Sequence, residues 1–181
     1  MSLPHAILGF LQAMPMTGYD LKTQAFDRTV AHFWSAAQQQ IYRELDKMDG
    51  FGWVRCEVEL QTDRPPRKVY HITDAGKAEL ASWLRQPQPL MQHREAFLIQ
   101  LFFAAQLTNA EIIELLNDQL AGHRARLADL ERIAIPPTDD PAYLRRQTLT
   151  RLTLDLGLRL EQMYIDWLTA ALHTVRQMPE G

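Results

Sequence analysis

The sequence predicts a mainly α-helical protein that carries one small β-ribbon. Apolar residues recur at helical spacing along most of the 181 residues. The alternation of polar and apolar side chains that is typical of strands is confined to residues 53–60 and 67–73. The Gln-Pro-Gln-Pro stretch at 86–89 has the composition of a hinge. It separates a half that contains the ribbon from a half with helical patterns alone.

The first two helices are predicted by spacing and capping. Ile7 and Leu11 share one face of a helix that Pro15 prevents from continuing. Thr17, followed three residues later by Asp20, resembles a capping box and opens a short second helix. These two helices are therefore joined by a tight, proline-containing turn.

A third helix is predicted to open at Ser35, because Gln38 stands three residues later in the second capping-box position. Glycines at positions 50 and 52 end it. Its inward side is expected to carry Ile41, Leu45 and Met48. The opposite side is polar and is free to meet a partner.

Two strands follow, at 53–60 and 67–73, and the loop 61–66 between them is polar and proline-rich. Thr73 then caps a fourth helix that extends to about Leu84. Three helices followed by a ribbon are the order of a winged helix-turn-helix, which we assign to residues 1–86.

The second half, residues 90–178, is predicted to be an α-helical, coiled-coil-like dimerisation domain. Helices are expected at 95–105, from Thr108 capped against Glu111, and from 141 to 175. The middle helix has a seam of alternating three- and four-residue steps at Ile113, Leu116, Leu120, His123, Leu127, Leu130 and Ala134. The last helix has an apolar stripe at Leu149, Leu152, Leu156, Leu160, Met163, Trp167, Ala171 and Val175. A small domain cannot bury a stripe about 50 Å long, so a second copy is the expected partner.

Composition excludes several classes of protein. The single cysteine, Cys56, rules out a disulfide framework and a Cys-rich zinc site. The opening residues lack a basic signal-peptide region, and the longest near-apolar run, 96–105, is half of what a membrane span needs. We therefore expect a cytoplasmic, nucleoid-associated protein with no membrane partner. The net charge of -3 does not by itself suggest DNA, so a DNA surface must come from local clustering and from dimerisation.

No catalytic residue, metal ligand or cofactor is predicted. The sequence has no Gly-rich phosphate loop, metal-spaced His/Cys set, nucleophile elbow or carboxylate pair in an apolar context. An enzyme is thus the weaker alternative. A helical protein-interaction adaptor with a winged domain that does not bind DNA is the other alternative. Salt-dependent binding of promoter DNA distinguishes both from a regulator.

The chain resembles the PadR family of bacterial winged-helix transcription regulators. In the first half the resemblance rests on residues 7–9, 15, 18–19, 33–34, 40–42, 45, 50, 64–65, 67–70, 72–73 and 76. In the second half, residues 94–98 and Trp167 resemble the family's helical C-terminal dimerisation domain, so the resemblance spans essentially the whole chain. Residues 1–5, 17–20 and 39–45 are similar to the virulence-activator sub-group. Gln39 and Arg43 depart from the broader family pattern beside Tyr42, so base preference does not carry over.

The third helix is interpreted as the recognition helix, because Gln can pair with adenine and Arg with guanine in the major groove. Three cations in the wing, within five residues, are expected to contact phosphates or enter the minor groove. The predicted DNA-binding residues are Tyr19, Ser35, Gln38, Gln39, Tyr42, Arg43, Arg64, Arg67 and Lys68. The implied mode of action is a homodimer on double-stranded DNA with an inverted-repeat operator.

Other residues admit two interpretations. The stripe residues Leu149, Leu152, Leu156, Leu160, Met163 and Trp167 are the predicted dimerisation residues. A small aromatic effector is a further expected partner, either between the domains or at the dimer interface, although ordinary hydrophobic packing explains the same aromatic residues: Trp83, Phe97, Phe102, Phe103 and Trp167. His123 and Cys56 are interpreted first as packing residues, with pH or redox sensing as the alternative.

Overall fold

The chain folds into two compact units, residues 1–90 and 91–181. They are seen in a computed structural model that describes residues 2–60, 66–90 and 94–179. The fold is mainly α-helical with a small antiparallel sheet, as the sequence predicts. The sheet lies in the first unit, and the described part of the second unit is helical.

The first unit begins with α1 (Leu3–Ala13), which ends before Pro15 as expected. The predicted capping box at Thr17 is present: the Asp20 backbone N–H donates to Thr17 Oγ1 over 3.0 Å. It opens α2 (Gly18–Asp20), which continues as a wider π-helix over Leu21–Val30. Sequence spacing alone did not predict the π-helical geometry of this second helix.

The third helix, α3 (Gln38–Gly50), is capped two residues later than predicted. The expected cap at Ser35 is wrong. Ala37 takes the N-cap position, and Gln40 reaches back so that its Oε1 atom accepts the Ala37 backbone N–H over 3.0 Å. The segment before the helix is extended, so Ser35 lies outside α3.

The sheet has three antiparallel strands in the order β1-β3-β2. The two long strands, β2 (Val54–Glu59) and β3 (Arg67–Ile72), form the predicted ribbon. Strand β1 (Met16–Thr17) was not predicted, because two residues are too few to show alternation. It pairs Thr17 with Val69, which attaches the ribbon to the start of the second helix.

The core of the first unit joins the helices to the base of the ribbon. Helix α4 (Asp74–Trp83) is capped by Thr73 as predicted, and Leu80 packs into this core. Tyr70 is 3% exposed and is part of this core. Burial and the neighbouring Cys56 thiol raise the pKa of Tyr70 to about 12, so the phenol stays protonated.

The second unit consists of α5 (Ala96–Phe102), a 3₁₀ turn at Ala104–Gln106, α6 (Asn109–Glu131) and α7 (Pro141–Arg176). Thr108 caps α6 with Glu111 as predicted. The backbone and side-chain hydrogen bonds from Thr108 lower the pKa of the Glu111 carboxyl, because they stabilise its charged form.

Helices α6 and α7 pack along an apolar seam that includes Leu116, Leu120, Leu168 and Leu172. The sequence prediction is wrong at the ends of its two patterns. Ala134 lies beyond the end of α6. Ala171 and Val175 belong to the core with α6, so the stripe on the outer face of α7 ends at Trp167.

Candidate nucleic-acid interface

Helix α3 has one apolar and one polar face. Ile41, Leu45 and Met48 are at most 1% exposed and pack into the core. The first two turns present their polar side chains to solvent, namely Gln38, Gln39, Gln40, Tyr42 and Arg43. Four of these five are predicted DNA-binding residues, so the structure brings that part of the predicted site together on one exposed helix face.

Tyr42 is held in place by the start of the second helix. Its ring lies against Gly18 so closely that a Cβ atom at this glycine would overlap it. The residue is still 37% exposed, so part of the side chain remains accessible on the helix face. Arg43 is exposed and its Nε atom donates to the Gln39 carbonyl over 3.4 Å.

The other two predicted residues of this region lie outside α3. Ser35 is exposed in the extended segment before the helix. Tyr19 is exposed on the short helix α2. Neither extends the polar face of α3 itself.

The three predicted cations of the wing have different environments. Lys68 is exposed on β3 opposite Val58. Arg67 heads the same strand, but its Nη2 atom donates to Asp20 Oδ2 over 3.3 Å and its Nε atom lies 3.9 Å from Glu59 Oε2. Arg64 lies outside the described residues. Lys68 is thus better placed than Arg67 to contact a phosphate.

Asp20 has a role in tertiary structure that the sequence interpretation did not predict. It was recognised only as a helix cap, yet its carboxylate also accepts Gln24 Nε2 over 2.9 Å and Arg67 Nη2. A helix-cap pattern predicts local hydrogen bonds and carries no information on a partner 47 residues away.

His32 lies in the turn that leads from the second helix towards α3. Its Nε2 atom is buried and has no hydrogen-bond partner among the described residues. Burial lowers the pKa of His32, because the surrounding protein cannot solvate the imidazolium. No sequence pattern signals this environment of His32.

The outer face of α7 carries a row of solvent-exposed apolar side chains. The six predicted dimerisation residues all lie on it and are 39–60% exposed: Leu149, Leu152, Leu156, Leu160, Met163 and Trp167. The inner face repeats at seven-residue intervals through Leu154, Glu161, Leu168 and Val175, and these residues are buried. The long helix therefore has two apolar faces, and only the inner one is covered by α6.

A polar cluster interrupts the inner face. Glu161 Oε2 lies 2.5 Å from His123 Nδ1, and Glu161 Oε1 lies 3.4 Å from Arg126 Nε. The His123 ring stacks on Tyr164, whose hydroxyl donates to Glu95 Oε2 over 2.9 Å. Burial, together with this hydrogen bond, raises the pKa of Tyr164 to about 12. His123 occupies the predicted seam position, and its charged partner was not anticipated.

The predicted aromatic effector residues are divided between the two units. Trp83 stacks on His5 inside the first unit. Phe97 and Trp167 meet edge to face in the second unit, with centroids 6.4 Å apart. Phe102 and Phe103 are exposed and border an open groove of about 650 Å³, lined also by Arg94, Glu95, Ala96, Leu98 and Ile99.

Two further properties bear on the class of protein. Within residues 2–60, 66–90 and 94–179 no group of three or more His, Cys, Asp or Glu side chains is arranged to hold a metal ion. In the same ranges, every helix is too short or too polar to cross a membrane.

Three helices, a polar third-helix face and an adjoining two-stranded wing define a winged helix-turn-helix transcription regulator. Residues 7–82 match the model described as the PadR-like family of transcriptional regulators, and residues 93–176 match the model described as the virulence activator alpha C-terminal domain. The chain belongs to the PadR family and is of the virulence-activator type.

Two bacterial proteins are similar to this chain over nearly its whole length. It is 32% identical to the negative transcriptional regulator PadR of Bacillus subtilis, over 94% of this chain and 95% of that one. It is 37% identical to the probable transcriptional regulator Rv1176c of Mycobacterium tuberculosis, over 93% and 94% of the two chains. The first is named a transcriptional regulator and the second a probable one, and neither name describes an enzyme.

Solved structures of relatives have the same fold. Bacillus subtilis PadR in complex with operator DNA is similar with a TM-score of 0.83 and 31% identity, over 97% of this chain and 99% of that one. A second structure of that PadR, in complex with p-coumaric acid, has a TM-score of 0.75 with 98% and 100% coverage at 31% identity. The Vibrio cholerae virulence activator AphA has a TM-score of 0.76 and 34% identity, over 98% and 100% of the chains.

Proposed function

We propose that this regulator binds double-stranded DNA with sequence specificity, through α3 in the major groove and the wing on the backbone. The observation that carries the proposal is the division of α3 into a buried apolar face and an exposed face with Gln38, Gln39, Tyr42 and Arg43. Gln and Arg are side chains that pair with base edges. The likeness to a PadR bound to operator DNA supports the same use of this fold.

The proposed DNA contacts fall into two groups, those that provide sequence specificity and those that provide affinity. Gln39, Tyr42 and Arg43 are assigned to base edges, which provide specificity. Lys68 and Arg64 are assigned to phosphates, which provide salt-dependent affinity. Tyr19 and Ser35 are exposed near α3 and are assigned to the backbone that flanks the recognition helix.

The proposed active form is a homodimer. The six exposed apolar residues on the outer face of α7 extend from Leu149 to Trp167, about 27 Å along the helix axis. An exposed, contiguous apolar surface of this kind is typical of a protein–protein interaction site. A second copy supplies a matching surface by symmetry.

A twofold dimer with two DNA-binding units implies an inverted-repeat operator. Half-site centres are expected one helical turn apart or a multiple of it. Genome-wide mapping of bound sites, followed by footprinting, tests this directly. An inverted repeat supports the proposal, whereas a single asymmetric half-site contradicts the symmetric arrangement.

The proposal extends to a small aromatic effector. A structure of Bacillus subtilis PadR holds p-coumaric acid, and this chain has an open groove of about 650 Å³ bordered by Ile99, Phe102 and Phe103. That volume suits a drug-sized planar molecule. Titration with p-coumaric acid as the probe should raise the melting temperature and release bound DNA if this class of ligand is recognised. An unchanged melting temperature at millimolar ligand would contradict the effector class.

A further inference from the structure

A side chain of the wing, Arg67, connects the wing to the second helix. Its position in the wing would by itself suggest a contact with DNA. Arg67 is the first residue of β3, at the loop end of the ribbon. Its guanidinium is 3.3 Å from Asp20 Oδ2 and 3.9 Å from Glu59 Oε2, its cross-strand neighbour. Both of these carboxylates belong to the protein, so the guanidinium is already paired in the absence of DNA.

Asp20 is a fixed anchor for this contact. Its Oδ2 atom accepts Thr17 Oγ1 over 2.7 Å, and its Oδ1 atom accepts Gln24 Nε2 over 2.9 Å. Its side chain is only 20% exposed, so the carboxylate has little freedom to turn towards solvent. A carboxylate oriented by several donors presents a defined geometry to a guanidinium.

The segment Thr17–Asp20 also contacts the recognition helix. Gly18 lies directly against the ring of Tyr42, which stands on the exposed side of α3. One short segment therefore contacts α3 through Gly18 and the wing through Asp20. The position of this segment relative to α3 and to the wing therefore sets the distance between α3 and the wing, the two elements proposed to contact DNA.

The ribbon needs such an attachment, because a two-stranded ribbon alone is only marginally stable. Backbone pairing with β1 holds it at Tyr70 and Val69. Arg67 lies two residues beyond Val69, about 7 Å further towards the loop end. The ion pair thus extends the attachment along the part of the wing that β1 does not reach.

We infer that Arg67 is a positioning residue: through Asp20 it fixes the wing relative to the recognition helix, and it does not itself contact phosphate. The inference rests on the proposed DNA-binding face. It predicts that removing either partner weakens operator binding, because the wing and α3 no longer meet the duplex together.

The test compares Arg67→Ala, Arg67→Lys, Asp20→Asn and the double variant Arg67→Ala/Asp20→Asn. Each is titrated with the mapped operator fragment and a scrambled duplex at several salt concentrations. Loss of Arg67 should weaken operator binding about two- to fivefold, as expected for a partly exposed ion pair, with an unchanged salt slope. The double variant should be no weaker than the weaker single variant, and Arg67→Lys should recover part of the loss.

Two matched controls separate positioning from charge. Lys68→Ala, one residue along the strand, should lower the salt slope by about 1 per phosphate contact. Glu57→Gln removes one negative charge from the wing without touching Asp20 or Arg67; the partners of Glu57 are Arg55 and His71, so this variant reports the loss of a wing carboxylate that is not paired with Arg67. If Arg67 contacts phosphate, Arg67→Ala should flatten the slope and Asp20→Asn should tighten both duplexes; that outcome overturns the inference.

A measurement on the protein without DNA tests the role of Arg67 independently of the proposed function. Amide hydrogen exchange should become several-fold faster at Val69 and Thr17 in Arg67→Ala and stay unchanged in Lys68→Ala. If exchange is unchanged in Arg67→Ala, then Arg67 does not fix the position of the wing. That result overturns the inference whatever the DNA titrations show. Failure of the wild-type chain to distinguish operator from scrambled duplex would instead contradict the proposed function, with the exchange result standing separately.

Discussion

His123 Nδ1 lies 2.5 Å from Glu161 Oε2, between the two long helices of the second unit, and the Glu161 residue is 8% exposed. A carboxylate so buried depends on its partners, since removing one side of a buried pair leaves an uncompensated charge. We predict that His123→Ala destabilises the protein by about 3 kcal/mol. This value lies at the lower end of the range for removing one partner of a buried pair, because Arg126 still contacts Glu161. Urea denaturation measures the change.

The double variant His123→Leu/Glu161→Leu is the informative companion. Apolar side chains of similar size often replace a buried pair without loss, so this variant should recover most of the stability lost in His123→Ala. A double variant as unstable as the single one would show that packing around Tyr164, rather than the polar contact between His123 and Glu161, is the main contribution.

Gly18 and Gly9 provide a matched pair of helix glycines. Gly18→Ala should cost up to about 1 kcal/mol, because its Cβ overlaps the Tyr42 ring, which is 37% exposed and can shift towards solvent. Gly9→Ala has no atom within 4 Å of the added carbon and should stabilise α1 by about 0.5–1 kcal/mol. Thermal unfolding of both variants checks the opposite signs. Equal effects would mean that Tyr42 does not depend on Gly18.

Most of the fold could be predicted because its elements carry local signals. The capping residues Thr17, Thr73 and Thr108 mark helix starts within a few residues, and each cap is present. Ser35 carried the same pattern but failed, because Gln40 caps the backbone at Ala37 instead. Local patterns do not decide between two neighbouring caps.

The site was predictable only where helical spacing sets it. Residues such as Gln39 and Tyr42 share one face of α3 because of the helical repeat. The roles of Asp20 and Glu161 depend on contacts with residues 47 and 38 positions away. Such pairings follow from tertiary packing, and a single sequence carries no signal for them.

Acid should destabilise the turn that contains His32. Burial lowers the pKa of this imidazole in the folded chain below its ordinary value of 6.5, so the unfolded chain binds the proton more readily. Stability should therefore decline as the pH falls below about 6.5 and level off below the folded pKa. His32→Asn should reduce this decline, measured as the difference in urea midpoint between pH 7.5 and pH 5.5.

His173→Gln is the control for this pH dependence, because His173 is exposed in the last turn of α7. It should leave the decline unchanged. If His32→Asn and His173→Gln behave alike, the buried Nε2 atom of His32 does not contribute to acid sensitivity.

Assembly should depend on the outer face of α7. Leu152→Asp and Leu156→Asp place a charge among exposed apolar residues that a second copy would cover, so each should shift the protein towards monomer. Thr169→Asp is the matched control, since Thr169 is exposed on α7 but lies well around the helix from the row. Sedimentation at micromolar concentration gives the mass. A monomeric wild-type chain would contradict the proposed dimer.

The most direct test of DNA recognition by α3 is one anisotropy titration of wild type and Gln39→Ala against operator and scrambled duplex. Gln39 is exposed on the polar face of α3 and is assigned to a base edge. Its loss should cost about 1–3 kcal/mol on the operator and change binding of the scrambled duplex much less. Equal losses on both duplexes, or no loss on the operator, would contradict the assignment of sequence recognition to α3.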